Sequence, residues 1–291
     1  MLTARSRALL DRYSLASRAL SAVSGERASR EPGQGVEFHD FRPYQPGDEL
    51  RYVDWRVYAR TGRLYTRLYQ AERSVRLHLV VDDSESMGVG GKRAYARVLA
   101  QLISYVAQRD APTQVHRVSG GSSRPLQGRA TVAATWSFID EATGARGSGP
   151  VSGLKTFALS LQPQRGSGLA LVISDLFEDV PLRPALSALK ARGLDAAFLQ
   201  VVASEDLDPP RGELEVVDVE TGERRPAGPD EVEAYRREVR RFLERTREAV
   251  LRAGFRHLLL VAPPAAATGE AVALEKDAFA DLLRAGVLVK R

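Results

Sequence analysis

Cysteine is absent from this chain of 291 residues, and histidine occurs only four times. The lack of cysteine excludes disulfide frameworks, thiol catalysis and zinc sites that depend on thiolates. The four histidines, His39, His78, His116 and His257, are scattered, and their spacing pairs none of them with a nucleophile or a second metal ligand. A catalytic histidine is therefore not expected, and no catalytic residue is assigned.

Long apolar runs are also missing. No segment approaches the roughly 18 consecutive apolar residues that a membrane span requires. Residues 1–20 are broken repeatedly by arginine and lack the apolar core of a secretory signal. These two observations predict a cytoplasmic protein without a membrane span.

The charge of the chain is carried mostly by arginine, since only five residues are lysine. The formal net charge of +5 permits a weak attraction to polyanions but says nothing about the fold. With 44% hydrophobic and 27% charged residues, the composition is that of a globular protein. A chain of this length holds one large domain or two modest ones.

The most informative stretch is a short apolar run, residues 77–81, that stops abruptly at Asp82. Its leucine and valine content predicts a buried strand, and ligands of open α/β sheets lie beyond the carboxyl ends of such strands. Asp82, Ser84 and Ser86 form an Asp-x-Ser-x-Ser series whose oxygen atoms suit Mg²⁺ or Mn²⁺. The alternative is a polar loop in which Ser84 or Ser86 caps the next helix.

A second apolar run, residues 167–175, also ends in an acid, Asp175. Two parallel strands of one sheet would bring Asp82 and Asp175 to the same edge, which favours a cation site. Strands and helices alternate along the chain, and this predicts an α/β fold with a mostly parallel central sheet and helices on both faces. The other predicted helices are 91–108, 130–141, one from Pro150, 184–192, 229–253 and 279–283, and the other predicted strands are 113–118, 194–202 and 255–261.

The Asp-x-Ser-x-Ser series and the later acid resemble the metal-ion-dependent adhesion site of von Willebrand factor A-type domains. The resemblance implies that Asp82, Ser84 and Ser86 form the first ligand motif, and that Asp175 is the late aspartate that ligates directly or through water. Related domains usually place a threonine just before the helix that is predicted here to begin at Pro150. This chain has Gly-Ser-Gly-Pro at that place, so Ser148 is the only nearby hydroxyl. Either Ser148 substitutes for that ligand, or the ligand is missing.

Residues 36–65 carry neither a helical nor a strand period, and their aromatic residues alternate with arginines and acids. The series G-x-E-F-x-x-x-R-x-Y-x-P-G-D-x-L-R-x-x-D-W-x-x-x-A-R-x-G-x-L-Y runs from Gly35 to Tyr65 and resembles domain-of-unknown-function family fifty-eight. That resemblance implies an A-type fold and a link to MoxR-type AAA+ ATPases, whose genes are commonly found beside those of the family. The signature residues that could form a partner surface are Glu37, Arg42, Tyr44, Asp48, Arg51, Asp54, Trp55 and Arg60.

The arginines and aromatic rings of this signature also fit a nucleic-acid interpretation, because such residues bind phosphates and bases. Residues 1–74, however, hold 13 arginines against nine acids, and the acids are interleaved with the arginines. Internal salt bridges are therefore the expected use of these charges, and nucleic acid is not an expected partner.

Two domains are predicted from these boundaries. Residues 1–74 would form an N-terminal amphipathic helix, over residues 1–23, followed by the arginine and aromatic extension. Residues 75–291 would form the von Willebrand factor A-like domain, with a hairpin insertion near residues 212–227.

The function expected from this combination is a non-enzymatic protein-interaction module with a metal-ion-dependent adhesion-type site. Its partner would be a MoxR-type AAA+ ATPase or a client of that ATPase, in protein assembly or remodelling. Two alternatives stay open: a metal-dependent phosphoesterase that uses the same cluster, and a scaffold with a vestigial metal site. A phosphoesterase would need two close metals, or a base with a phosphate clamp, and the sequence points to neither.

Overall fold

The computed structural model describes residues 2–16, 37–70, 76–144, 153–161, 168–177, 181–210, 212–217, 222–264 and 271–291. The chain divides into two compact units, which are Leu20–Ser74 and the combination of Met1–Ala19 with Val75–Arg291. The larger unit thus includes the first residues of the chain, which the sequence had grouped with the extension. Among the described helices, none combines the length and the apolar character needed to cross a bilayer.

The larger unit is built on a sheet of five parallel strands in the order β10-β7-β6-β4-β5. The central strands β4 and β6 are buried along their whole length, as expected for a parallel sheet covered on both faces. The predicted α/β class is therefore confirmed. The strands of this sheet are β4 (Leu77–Val81), β5 (Thr113–Arg117), β6 (Gly168–Ser174), β7 (Leu194–Ala203) and β10 (Arg256–Ala262).

The helices of the described residues mostly begin and end close to the predicted positions. They are α1 (Ala4–Leu10), α2 (Trp55–Thr61), α3 (Lys92–Asp110), α4 (Val132–Gly144), α5 (Gly153–Ser160), α6 (Arg183–Ala191), α7 (Ser204–Leu207), α8 (Pro229–Arg252) and α9 (Ala271–Arg284). Helices α5 and α6 share a buried cluster with Val80, Val172 and Phe198 of the sheet. Helix α3 packs along β4, β5 and β6, and α9 packs against α3.

The N-terminal segment differs from its prediction. The expected helix over residues 1–23 ends at Leu10, and the chain then forms a strand, β1 (Tyr13–Leu15), that pairs antiparallel with β11 (Leu288–Lys290). The pairing buries Leu15, so contacts with the far end of the chain override the local helical period. Residues 17–23 lie outside the described residues.

The predicted hairpin insertion is confirmed. Strands β8 (Leu214–Val217) and β9 (Arg224–Ala227) pair antiparallel, and Val217 lies opposite Arg224. Helix α8 follows directly, and its first residue, Pro229, occupies the position where the missing N–H costs nothing.

The smaller unit holds more regular structure than its sequence predicted. Strands β2 (Glu37–Pro43) and β3 (Tyr65–Gln70) form an antiparallel pair, and α2 lies between them along the chain. The register shifts between Phe38 and Asp40, which interrupts the alternation of side chains by which a strand is recognised in a sequence. Helix α2 begins where the Asp54 carboxylate accepts hydrogen bonds from two backbone N–H groups of the first turn, and it ends at Gly62, whose φ of 67° suits glycine.

Candidate functional site

The register of the sheet brings the two sequence-predicted acids to one edge. Val81 of β4 is paired with Ile173 of β6, and the backbone N–H of Asp82 donates to the carbonyl of Ile173 at 3.0 Å. Asp82 is therefore level with Ser174, and Asp175 follows one residue later. Both carboxylates lie beyond the carboxyl ends of adjacent parallel strands, where open α/β sheets bind their ligands.

The Asp82 carboxylate is buried and is held by uncharged donors. Its Oδ1 accepts from the backbone N–H of Ser84 at 2.8 Å, and its Oδ2 accepts from Ser174 Oγ at 2.5 Å. Burial, and then the negative charge of Asp175, raise the pKa of Asp82 from its ordinary 3.8 to about 6. The site thus holds two negative charges that repel each other in a poorly solvated place, and a cation would relieve this repulsion.

Ser84 and Ser86 lie beside Asp82 in the loop that leads to α3. Ser84 Oγ and Ser86 Oγ are 3.0 Å apart. Ser84 precedes a short 3-10 turn, Glu85–Gly88, without a side-chain capping bond, and the residue that caps α3 is Gly91. The capping alternative therefore does not describe these hydroxyls.

Asp175 has a partner that the sequence did not suggest, the ammonium group of Lys92. Lys92 Nζ donates to Asp175 Oδ2 at 2.9 Å and lies 3.1 Å from Asp206 Oδ2. The side chains of Lys92 and Asp175 are 2% and 1% exposed, so the pair is shielded from water. Asp175 Oδ1 also accepts from the backbone N–H of Phe177 at 3.1 Å.

The turn after β6 is strained, which fixes the direction of Asp175. Leu176 has a φ of +60°, in the left-handed region that a leucine rarely occupies. Its N–H donates to Ser174 Oγ at 2.8 Å, and Gln200 Nε2 donates to the carbonyl of Asp175 at 2.8 Å. Strained residues of this kind cluster at functional sites, where surrounding bonds maintain them.

The residues present fit a hard divalent cation in part. Two ligands at right angles around Mg²⁺ are about 3.0 Å apart when each metal–oxygen distance is about 2.1 Å, and the Ser84 and Ser86 hydroxyls have this separation. Asp82 adjoins them, whereas Asp175 is engaged by Lys92 and fits the role of a ligand through water. Among the described residues no cluster of three or more His, Cys, Asp or Glu forms a metal site, so hydroxyls and water would complete the shell. Ser148, the remaining predicted ligand, lies outside the described residues.

A cavity of about 480 Å³ opens beside the site. Ser86, Lys92 and Asp206 form one polar part of its wall, and the ion pair of Glu238 and Arg245 on α8 forms another. The rest of the wall comes from α8, the β8–β9 hairpin and the loops after β4 and β6. The aromatic and aliphatic side chains in that wall include Phe177, Phe242, Val89, Val217, Tyr235 and Val239. A mostly apolar wall with a few polar groups is typical of binding pockets.

Asp83, next to Asp82, is buried but takes no part in the site. Its carboxylate accepts hydrogen bonds from the backbone N–H of Ser119, at 2.9 Å, and from the Ser119 hydroxyl. The two consecutive acids therefore serve different purposes.

Two histidines that are far apart in the sequence meet in the sheet. His78 of β4 and His116 of β5 lie on neighbouring strands, and His78 Nδ1 is 3.0 Å from His116 Nε2. Burial lowers the pKa of His78 to about 4, and burial together with the His78 charge lowers that of His116 to about 3. The spacing of the histidines did not reveal this contact, because strand order is not visible in the sequence.

The signature residues of the smaller unit form internal ion pairs, as expected. Arg42 is paired with Asp48 at 2.5 Å, and Arg67 is paired with Asp54 at 2.8 Å. A hydrogen bond from the Gln45 backbone, with those from Arg42 and Thr66, holds the pKa of Asp48 below its usual range. These bonds tie the turn after β2 to β3 and to the start of α2.

The other signature residues are more exposed. Trp55 is 55% exposed and packs edge-on against Tyr58. Arg51 is ion-paired with Glu49, and its guanidinium lies 4.7 Å from the centre of the Tyr52 ring. The remaining positions are Glu37 at the start of β2, Tyr44 after β2, half-buried, and Arg60 in α2, exposed.

The fold and the site define a class: an α/β domain with a five-stranded parallel sheet, and with buried acids and partly buried hydroxyls at the carboxyl edge of its central strands. The family follows from comparison with known sequences. The model of the family described as "Protein of unknown function DUF58" matches residues 40–249, and the chain belongs to this family.

Curated relatives of the chain include proteins described as uncharacterized. It is 29% identical over 218 residues to uncharacterized proteins of Mycobacterium bovis (Mb1516) and of Mycobacterium tuberculosis (Rv1480), a match that spans 69% of this chain and 66% of each relative. A crystal structure described as an uncharacterized membrane spanning protein from Vibrio fischeri matches 70% of this chain and 98% of its own, at 13% identity. Its TM-score of 0.19 means that this likeness carries no structural argument.

Proposed function

We propose that this protein is a non-enzymatic interaction module of the von Willebrand factor A type, with a metal-ion-dependent adhesion-type site for Mg²⁺ or Mn²⁺. The observation that supports the proposal best is the convergence of Asp82, Ser84, Ser86 and Asp175 at one sheet edge beside an open apolar cavity. The family resemblance points to a MoxR-type AAA+ ATPase, or its client, as the partner in protein assembly or remodelling.

The balance of charge in the site explains why an acidic group of a partner would bind there. Asp82, Asp175 and Asp206 contribute three negative charges, and Lys92 compensates one of them. The two negative charges that remain match the charge of a divalent cation. A bound cation held by hydroxyls rather than by several carboxylates stays electron-poor and accepts a further carboxylate ligand. Ser84 and Ser86 would hold that cation. The Asp82 carboxylate, which accepts a hydrogen bond from the Ser84 backbone N–H, would fix the loop that carries both hydroxyls.

The cavity supplies the second half of a protein-binding surface. A partner segment that places an Asp or Glu at Ser86 would bring its neighbouring side chain against the ring of Phe177 and the aliphatic groups of Val217 and Val239. An acid followed by an apolar or aromatic residue is therefore the partner chemistry that suits this surface. Such a contact combines a central anchor with a surrounding apolar wall, the arrangement of binding hot spots.

The phosphoesterase alternative has less support from the same residues. Two-metal phosphate chemistry needs a second group of ligands about 3.5–4 Å from the first metal. In the described part of the chain the second acid, Asp175, is engaged by Lys92 and the Phe177 backbone. Hydrolysis of a generic phosphoester in the presence of Mn²⁺, abolished by Asp82→Ala, would favour the enzyme over the interaction module.

The metal half of the proposal is tested by titration calorimetry with Mg²⁺ and Mn²⁺. Asp82→Ala is expected to weaken binding roughly 10- to 100-fold, because it removes the carboxylate that orders the loop and adds charge to the site. Asp195→Ala, which removes a carboxylate at the opposite end of the sheet, should bind as the wild type does. No heat with the wild type, or equal heat with Asp82→Ala, would contradict the metal claim.

The partner half is tested by co-purification with a MoxR-type ATPase from the same organism. Val217→Asp, on the cavity wall, is expected to reduce recovery roughly 30-fold, because a carboxylate there would lie against the apolar part of the partner. Val216→Asp is the matched control, since Val216 is the adjacent residue of β8, is 52% exposed and does not line the cavity. Equal loss with both variants would show that the cavity is not the contact surface.

A further inference from the structure

Lys92 is the first residue of helix α3 and is almost completely buried. Its neighbours on the amino side are Gly90 and Gly91, both with positive φ. Gly90 lies so close to the strand end that an added Cβ would be 2.2 Å from the Cβ of Ala203, so the backbone there needs glycine. This close approach places the start of α3 directly over the ends of β6 and β7.

The position is unfavourable for a cation unless carboxylates compensate. The amino end of a helix carries partial positive charge, which repels an ammonium group, and burial removes the water that would solvate it. Asp175 at 2.9 Å and Asp206 at 3.1 Å supply that compensation, and they follow the ends of two different strands, β6 and β7. The Phe177 ring, whose centre is 5.2 Å from Nζ, adds a favourable contact with the cation.

The ammonium group does not reach Asp82 in the same way. Both hydrogen bonds to the Asp82 carboxylate come from uncharged donors, Ser84 N–H and Ser174 Oγ. The neighbouring Arg93 directs its guanidinium to the Ser84 carbonyl at 2.8 Å. Lys92 therefore neutralises one side of the acidic site and leaves the Asp82 side for another cation.

We infer that Lys92 is a built-in counter-ion of the site, which holds Asp175 and Asp206 in place before a divalent cation arrives and weakens the binding of that cation. The inference concerns the site of the proposed function and rests on that proposal only for the identity of the ion. It assigns Lys92 and Asp206 as positioning residues that the motif does not contain. A site with its own cation would bind the divalent ion weakly and reversibly.

The test compares Lys92→Met with the wild type, because methionine keeps the length of the side chain and removes its charge. Melting temperature is measured in EDTA and in excess Mn²⁺, and Mn²⁺ affinity is measured by calorimetry. In EDTA the variant is expected to melt roughly 5–15 °C lower, since two buried carboxylates lose their partner. Mn²⁺ should raise its melting temperature more than that of the wild type and should bind at least about tenfold more tightly. Lys155→Met, an exposed position in α5, should match the wild type in each measurement.

A second variant keeps the inference testable if Lys92→Met does not fold. Asp206→Asn removes one of the two carboxylates around Lys92 and makes the site less negative, so Mn²⁺ should bind roughly tenfold more weakly. If neither variant changes the response to Mn²⁺, or if Lys92→Met binds Mn²⁺ more weakly than the wild type, the inference is wrong. If Mn²⁺ binds Lys92→Met but not the wild type, the inference stands and the metal claim of the proposed function falls.

Discussion

Acidification from about pH 7 to about pH 4.5 is expected to cost on the order of 5 kcal/mol of folding free energy through His78 and His116. The two rings are buried on adjacent strands and bonded to each other at 3.0 Å. Burial lowers the pKa of both rings, to about 4 for His78 and about 3 for His116, and the positive charge of Arg76 contributes to both shifts. Protonation of either ring would place a charge inside the sheet.

The direction of the effect follows from the two pKa values. Both histidines ionise in the unfolded chain near their ordinary value of 6.5, so the unfolded state binds more protons than the folded state below that pH. Their contribution to stability is complete above pH 6.5 and is lost as the pH falls toward about 4 and then about 3. Asp82, whose pKa is raised to about 6, acts in the opposite sense between pH 6 and pH 3.8.

Urea denaturation across this pH range, with wild type and His116→Gln, measures the histidine contribution. Glutamine retains a hydrogen-bonding group for His78 but does not titrate, so the variant should lose roughly half as much stability on acidification. Asp82 is present in both proteins, and its contribution cancels in the difference. Parallel pH curves for the two proteins would contradict the prediction.

The second large effect is expected from Asp175→Ala, which should lower the free energy of unfolding by roughly 3–5 kcal/mol. The substitution leaves the buried Lys92 ammonium with Asp206 alone and removes the acceptor for the Phe177 N–H. Because Leu176 is held at positive φ by bonds on either side, loss of the carboxylate also loosens a strained turn.

A double-mutant cycle separates the charge from the turn. Asp175→Ala combined with Lys92→Met should be less destabilised than the sum of the two single variants, since the second change removes the charge that the first leaves unpaired. Asp195→Ala serves as the control for loss of a carboxylate elsewhere on the sheet. Additive effects in the cycle, measured by urea denaturation, would show that Lys92 and Asp175 do not act together.

The central elements could be predicted because local and tertiary preferences agree there. The run Leu77–Val81 is apolar at every position except His78, and a strand buried on both faces needs this composition. Helix α8 was predicted almost to its last residue because a proline starts it and its apolar period persists for six turns. The convergence of Asp82 and Asp175 could be predicted from the parallel pairing of their two strands alone.

The failures have equally specific causes. The helix predicted over residues 1–23 was cut short because β11, at the other end of the chain, supplies a strand partner for Tyr13–Leu15. In the smaller unit, the irregularity between Phe38 and Asp40 removed the alternation by which a strand is recognised. Both structures depend on pairing partners that a local window does not contain.

Lys92 and Asp206 were missed for a different reason, although a signal was available. Each lies far from Asp175 in sequence, and only the close approach of α3 to the strand ends brings them together. A lysine that directly follows two glycines at the start of an apolar helix is nevertheless unusual, because the amino end of a helix favours negative charge. That conflict between residue type and helix position predicts a compensating acid nearby.

The pairing of β1 with β11 also constrains the order in which the polypeptide acquires its structure during synthesis. Tyr13–Leu15 precedes every strand of the parallel sheet in the sequence, whereas its partner Leu288–Lys290 follows all of them. Strand β1 therefore stays unpaired until β11 has been synthesised, and closure of so long a loop carries a large entropic cost. We expect this two-stranded ribbon to form after the parallel sheet and to open before it under mechanical or thermal stress.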